Sequence, residues 1–305
     1  MAIKVMDIIE KMNLEVLVEG DREIEINTAD LNRPGLQLSG FYNYFANERI
    51  QIIGRAEWSF LDDMQVEIRR KRVKKFMSFT MPCIIITRDQ EPHKELIEYA
   101  EKNKRWILRS KEISTKFINK LSNLLAECLA PETRIHGVLV DVYGIGIVIT
   151  GESGIGKSET ALELIKRGHR LVADDAVDIK AIDGFLKGTS PDITFGMLEV
   201  RGMGIIDVSA LYGLSSIIRN KTISLIVHFE HWKDDGNYDR LGVDKEYMDI
   251  LNVPVRRLRV PIRPGRNIAV IIEAAAANYR YSFLAKTSPV DIIERRMEGL
   301  ADDII

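Results

Sequence analysis

Apolar and polar positions alternate along the first 130 residues in two rhythms. Leu14-Glu-Val-Leu-Val18 and Glu23-Ile-Glu-Ile-Asn27 alternate with the period of two that a half-buried strand requires. Continuous apolar runs at 50–53, 83–87 and 106–109 read as further strands. Segments 3–12, 92–103 and 114–129 carry a helical period, the last with Ser114 at the N-cap position. Strands alternating with helices predict a small α/β domain over residues 1–130. It contains no catalytic constellation, and Asn32-Arg-Pro-Gly-Leu36 is a turn signal.

The pattern changes near residue 131. Pro131-Glu-Thr-Arg134 is polar and follows a helical run, so it reads as the linker to a second domain over 131–305. Residues 136–143 alternate as one strand. Gly144-Ile-Gly146 then connects tightly to the apolar, β-branched run Ile145-Gly-Ile-Val-Ile-Thr150. Two strands joined this closely predict a hairpin and more antiparallel character than a doubly wound sheet has.

That run feeds the most informative stretch of the chain. Gly151-Glu-Ser-Gly-Ile-Gly-Lys-Ser158 fits G-x-x-x-x-G-K-[ST], with Glu152, Ser153, Gly154 and Ile155 between Gly151 and the Gly156-Lys157-Ser158 end. A helical run, 159–167, follows. Strand, glycine loop and helix together aim backbone N–H groups and a helix N-terminus at phosphate oxygens. Lys157 then reaches the terminal phosphates and Ser158 holds Mg²⁺ through its hydroxyl. A simple turn has no use for Gly, Lys and Ser at these offsets.

Composition narrows the rest. Over 305 residues, 46% apolar and 29% charged content is that of a soluble globular chain, and 305 residues suffice for two domains. A net charge of −2 gives no global pull towards nucleic acid or anionic membrane. Arg69-Arg-Lys-Arg-Val-Lys-Lys75 is basic but short and lacks flanking aromatics, so it reads as a solvated helix face. Cys83 and Cys128 are isolated in apolar surroundings and read as packing residues. The N-terminus picks up charge too early for a signal peptide, and no apolar run reaches membrane-spanning length. A cytoplasmic protein is expected.

Further residues suit phosphoryl chemistry. Leu171-Val-Ala-Asp-Asp-Ala-Val177 is an apolar strand ending in acids. If both stay extended, Asp174 and Asp175 point to opposite faces, one to the metal side and one to a second site or a supporting role. In 198–208, Glu199 and Arg201 share a strand face as candidate metal ligand and phosphate clamp, with Gly202 and Gly204 allowing close approach. Asp239-Arg240 closes a polar stretch. Arg259-Val-Pro-Ile-Arg-Pro-Gly-Arg-Asn267 reads as a stiff, anion-attracting loop kept out of regular ladders by proline. His93, His169, His228 and His231 have no obvious sequence partner and read as structural or surface residues. His136 differs because it opens the strand leading to the loop.

With these residues in view, the chain resembles bacterial HPr kinase/phosphorylase across nearly all its length. The stretch 151–160, Val172-Ala-Asp-Asp175, the 198–207 signature, Asp239-Arg240 and the 261–266 loop match in order and spacing. The resemblance implies an α/β chain in which a small N-terminal domain precedes a P-loop kinase domain related to phosphoenolpyruvate carboxykinase. It implies a homohexamer serving carbon catabolite control. The enzyme would phosphorylate a serine of HPr, the phosphocarrier of the sugar phosphotransferase system, with ATP or pyrophosphate. It would remove the phosphate by inorganic-phosphate attack, releasing pyrophosphate. The family assigns proton transfer to the position of Asp175, active-site roles to those of His136, Lys157 and Arg240, and Mg²⁺ binding to those of Ser158 and Glu199. Pro261, Ile262, Arg263, Pro264, Gly265 and Arg266 correspond to the loop tied to the reverse reaction.

Three other classes compete. A small-molecule kinase of the carboxykinase type is permitted by the phosphate loop alone, but the arginine loop and the N-terminal domain argue against it. A GTPase-like switch usually needs Asn-Lys-x-Asp, and Asn220-Lys-Thr-Ile223 lacks the acid. A nucleotide-gated binding module would leave the base position empty, where Asp175 stands.

Overall fold

A computed structural model describes residues 3–232, 246–263 and 265–285, with Ile292 and Arg296. It divides into two compact units, Met1–Ala130 and Pro131–Ile305.

The first unit runs β1 (Ile3–Lys4), α1 (Val5–Met12), β2 (Glu15–Val18), β3 (Glu25–Ile26), β4 (Leu31–Asn32), α2 (Gly35–Ser39), β5 (Ile50–Ile53), α3 (Arg55–Asp62), α4 (Val66–Met77), β6 (Cys83–Ile86), α5 (Lys94–Asn103), β7 (Trp106–Arg109) and α6 (Ser114–Leu129). Strands β4 to β7 are parallel neighbours, and β2 closes the sheet antiparallel to β7. Helices α2 to α5 bury Leu38, Leu61, Phe76 and Leu96 against Ile53, Ile84, Ile86 and Ile107. On the other face α1 and α6 bury Ile8, Phe117 and Leu121 against Ile52, Ile85 and Leu108. Both faces are covered, so the strands read as unbroken apolar runs rather than alternating ones.

The basic run lies on α4 and is largely solvated as expected, but Arg69 is shielded and two of its members are paired. Arg69 pairs with the buried Glu95 at 3.1 Å and Arg70 with Glu98 at 3.0 Å, tying α4 to α5. Ser114 is not the N-cap expected of it. Ile113 holds that position, and the Ser114 hydroxyl instead lies 2.7 Å from that of Thr87. Cys83 is fully buried, and burial pushes its thiol well above its ordinary range.

The second unit runs β8 (Glu132–His136), β9 (Val138–Val142), β10 (Ile145–Gly151), α7 (Lys157–Lys166), β11 (Arg170–Ala173), β12 (Ala176–Ile182), β13 (Phe185–Thr189), β14 (Met197–Val200), β15 (Gly204–Asp207), α8 (Val208–Tyr212), β16 (Asn220–His231), β17 (Glu246–Ile250), β18 (Val253–Ile262) and α9 (Ile268–Ala285). The segment expected to be a linker is the edge strand β8, paired with β12. The expected single strand over 136–143 is broken at Gly137 between β8 and β9. The hairpin is real: β9 and β10 are antiparallel, closed by Tyr143 and Gly144, both left-handed as a tight two-residue hairpin turn requires.

Around that hairpin, β10, β16 and β18 are mutually parallel in the order β10-β16-β18. On the far side, β11 lies beside β9. Helices α7 and α9 pack on one face against Val138, Ile147, Ile149, Val227 and Phe229. The other face, with Leu139, Val148 and Ile226, packs on Val177, Ile179 and Leu186 of β12 and β13. Pro261 lies within β18 instead of a loop, opposite Glu230. Strand β17 pairs only with the first half of β18, so among the described residues the missing N–H of Pro261 faces an open edge.

Candidate functional site

Strand direction decides what meets. The C-terminal ends of β11, β10, β16 and β18 and the N-terminal end of β9 share one rim of the sheet. Along it follow Asp174 and Asp175, Gly137, the glycine loop, His231 with Trp232, and Ile262 with Arg263. In open α/β sheets the carboxyl ends of strands are where ligands bind.

Gly151, Gly154 and Gly156 all take positive φ, which lets residues 151–156 curl before α7 starts at Lys157. Buried Ile155 pins the loop to the core. Lys157 Nζ donates to the carbonyl oxygens of Gly151 (3.0 Å) and Glu152 (2.9 Å), so its charge lies along the loop. The Arg201 guanidinium sits over Gly154: a Cβ there would come within 2.2 Å of Nη1. Its Nη2 donates to Ser153 Oγ at 3.2 Å. Arg201 reaches the loop from the turn after β14, not from the strand face it was expected to share with Glu199.

The two acids have opposite settings. Asp174 is buried; its Oδ1 accepts from Ser158 Oγ at 3.0 Å and its Oδ2 from the Glu199 backbone N–H at 2.9 Å. Burial raises its carboxyl above the ordinary value, against the lowering effect of these donors. Asp175 is not extended as the strand reading assumed. Its φ of 63° turns the chain left-handed and leaves its side chain 81% exposed. There Asp175 Oδ1 lies 3.8 Å from Nδ1 of the exposed His136. The Gly137 N–H donates to the Asp175 carbonyl at 3.0 Å, holding this corner against β9. A Cβ at 137 would meet the Ile149 carbonyl oxygen at 2.6 Å, so only glycine permits the approach. Thus Ser158, Asp174, Glu199, Asp175 and His136 form one connected flank of the loop.

The opposite flank carries the arginines. Arg266 Nη1 donates to the Pro261 carbonyl at 3.1 Å, and Gly265 is left-handed in the turn between them. The Arg263 guanidinium lies 5.5 Å from the Trp232 ring centroid. Asp239, Arg240 and Pro264 fall outside the described residues.

Sequence reasoning missed three residues here. His231 Nε2 stands 3.6 Å from Glu152 Oε2 of the loop. His228 Nδ1 lies 3.0 Å from Thr150 Oγ1, on the strand feeding the loop; burial first, then Arg257, lowers its pKa. Trp232 extends the β16 line past the loop. The available signal was the odd polar residue in an apolar strand. His93 and His169 have structural partners, Asp62 at 3.3 Å and Glu273 at 3.1 Å. Among the described residues no group of three or more His, Cys, Asp or Glu side chains is set to hold a metal. No described helix is long and apolar enough to cross a membrane.

Comparison with known proteins covers both units. The family models described as HPr Serine kinase N terminus and HPr Serine kinase C-terminal domain match residues 3–125 and 127–297. The chain is 68% identical over 303 residues to the HPr kinase/phosphorylase of Clostridium botulinum (strain Eklund 17B / Type B), covering 99% of this chain and 100% of that one. It is 68% identical over 300 residues to that of Clostridium kluyveri (strain NBRC 12016), covering 98% and 97%. Among solved structures, the HPr(Ser) kinase/phosphatase from Coxiella burnetii is 33% identical, covering 50% of this chain and 94% of that one with a TM-score of 0.47.

Proposed function

This chain belongs to the HPr kinase/phosphorylase family, and on that premise we propose that it moves a phosphoryl group in both directions. Forward, ATP or pyrophosphate phosphorylates a serine of HPr. In reverse, inorganic phosphate attacks the phosphoserine and pyrophosphate leaves. The observation that carries this reading is the division of labour between adjacent acids beside a phosphate loop: Asp174 is buried on Ser158, and Asp175 is turned out beside His136.

The chemistry follows from that division. A serine hydroxyl must lose its proton as its oxygen bonds to phosphorus, and the exposed Asp175 carboxylate accepts it. In reverse the same carboxylic acid returns the proton to the departing serine oxygen. His136 lies within reach to orient Asp175 or the phosphate. Lys157 exchanges its loop carbonyls for terminal phosphate oxygens, and Arg201, over Gly154, neutralises the same charge. Family membership adds Arg240 to this set. Arg263 and Arg266 hold inorganic phosphate for the reverse step.

The residues fit Mg²⁺. The Ser158 hydroxyl donates its hydrogen bond to Asp174, which leaves its oxygen lone pairs for a cation, and Asp174 also holds the Glu199 backbone in place. Ser158 and Glu199 would hold the ion as hard oxygen ligands, with few protein ligands and phosphate oxygens, as Mg²⁺ prefers. Bound there, it supplies charge neutralisation on the transferring phosphoryl group. We extend the reading to a homohexameric, cytoplasmic enzyme.

The test is direct. Purified protein with HPr, ATP and Mg²⁺ should add one phosphoryl group to HPr by intact-mass spectrometry. Added inorganic phosphate should then remove it and release pyrophosphate. An HPr mass that never changes contradicts the reading.

A further inference from the structure

The rim order has a consequence for the phosphoryl donor. The acid pair Asp175 and His136 lies on one flank of the loop, on the side of β9 and β11. Trp232 and Arg263 lie on the other, at the ends of β16 and β18. In phosphoryl transfer the attacking and leaving oxygens stand roughly in line on opposite sides of phosphorus. If the acceptor serine meets Asp175, as proposed above, the rest of the donor must leave towards Trp232.

That flank offers a planar group at a suitable reach. Gly151 is in register with Phe229, and Trp232 is three residues further on, about 10 Å along the strand direction at 3.3 Å per residue. The separation matches a nucleoside stretched away from phosphates held on the loop. His231 confirms that this strand end adjoins the loop, because its Nε2 lies 3.6 Å from Glu152 Oε2. The Trp232 backbone N–H donates to the Ile262 carbonyl at 3.2 Å, so the residue is fixed to β18. Its side chain stays 39% exposed, and the Arg263 guanidinium, itself a flat cation, lies over the ring 5.5 Å from its centroid. An exposed indole is a good stacking surface for a nucleobase, because every base presents a π-face.

We propose that Trp232 is the stacking platform for the base of the nucleotide donor. The inference rests on the kinase reading and adds what that reading leaves open: where the nucleoside goes. A donor lacking a base gains nothing from Trp232, so the two donors separate the role from general support of the loop.

The experiment compares ATP and pyrophosphate, each with Mg²⁺, binding to wild type, Trp232→Ala and Trp232→Phe by titration calorimetry. No HPr is present, so the result is independent of whether transfer occurs. Trp232→Ala should weaken ATP roughly five- to hundred-fold and leave pyrophosphate at its wild-type affinity, which also shows that the loop is intact. Trp232→Phe should keep ATP within a few-fold of wild type. An equal loss for both ligands would make Trp232 a structural support, and an unchanged ATP affinity in Trp232→Ala would place the base elsewhere. A Phe variant as weak as the Ala variant would equally overturn stacking.

Discussion

Ser158 and Asp174 form the hinge of the site: Ser158 Oγ donates to Asp174 Oδ1 at 3.0 Å, and the other oxygen of Asp174 holds the Glu199 backbone N–H. One buried carboxylate thereby fixes the first turn of α7 relative to β14. Asp174→Ala should destabilise the protein by about 1–3 kcal/mol, since a part-buried N–H and a hydroxyl lose their acceptor. It should also raise the Mg²⁺ concentration needed for half-maximal transfer. A thermal melt and a Mg²⁺ titration check both; an unchanged titration would contradict the positioning role.

Gly154 and Arg201 share one space, which makes their mutations non-additive. Gly154→Ala strains a left-handed position by roughly 1–2 kcal/mol and pushes the guanidinium away. Part of its loss in ATP affinity should therefore vanish in an Arg201→Ala background. A double-mutant cycle gives the answer, and strict additivity would mean the arginine does not cover the loop.

His228 predicts a pH dependence of stability. Its pKa is lowered in the fold by burial and by Arg257 and Arg259, which outweigh Glu230; Thr150 accepts or donates at its Nδ1. The unfolded chain, near the ordinary 6.5, takes up the proton first as pH falls. This group is therefore neutral to stability above that value and destabilising below it. Replacing it, as in His228→Gln, should make the fall in Tm between about pH 7 and pH 5 shallower. An equally steep fall would remove His228 as a contributor.

How much of this was legible in sequence differs by element. Strands β5 and β7 and helix α6 coincide with the expected runs, because continuous apolar patches and a clean helical period leave little choice. Strand β8 escaped because it buries no residue: an edge strand alternating between half-buried and exposed positions resembles a polar linker. The break at Gly137 was invisible for a related reason, since a close backbone approach is a tertiary fact. The glycine loop, Lys157 and Ser158 were plain from spacing. The fates of Asp174 and Asp175 were not, because one left-handed residue undid the alternation on which their facing was argued. The Trp232 and Arg263 contact joins residues 31 positions apart, each just past the end of a different strand, which no local pattern marks.

The Arg266 side chain bonds the Pro261 carbonyl and so curls back on its own turn. Free inorganic phosphate has no nucleotide to anchor it, whereas on the proposed reading the forward donor would be held by the loop and Lys157. Arg266→Ala should slow dephosphorylation much more than phosphorylation and raise the phosphate concentration required. Rates in both directions with phosphate titrated decide this; equal losses would assign the turn to general binding of HPr or to assembly.

The central claim is that Asp175, set apart from the buried Asp174 by its left-handed backbone and placed beside His136, carries the proton in both directions. The most direct measurement is Asp175→Asn assayed for HPr phosphorylation, for phosphorolysis of phosphorylated HPr, and for ATP binding on the same preparation. Both rates should fall together by roughly a hundred- to ten-thousand-fold while ATP affinity is kept. Either reaction persisting near the wild-type rate would contradict the account.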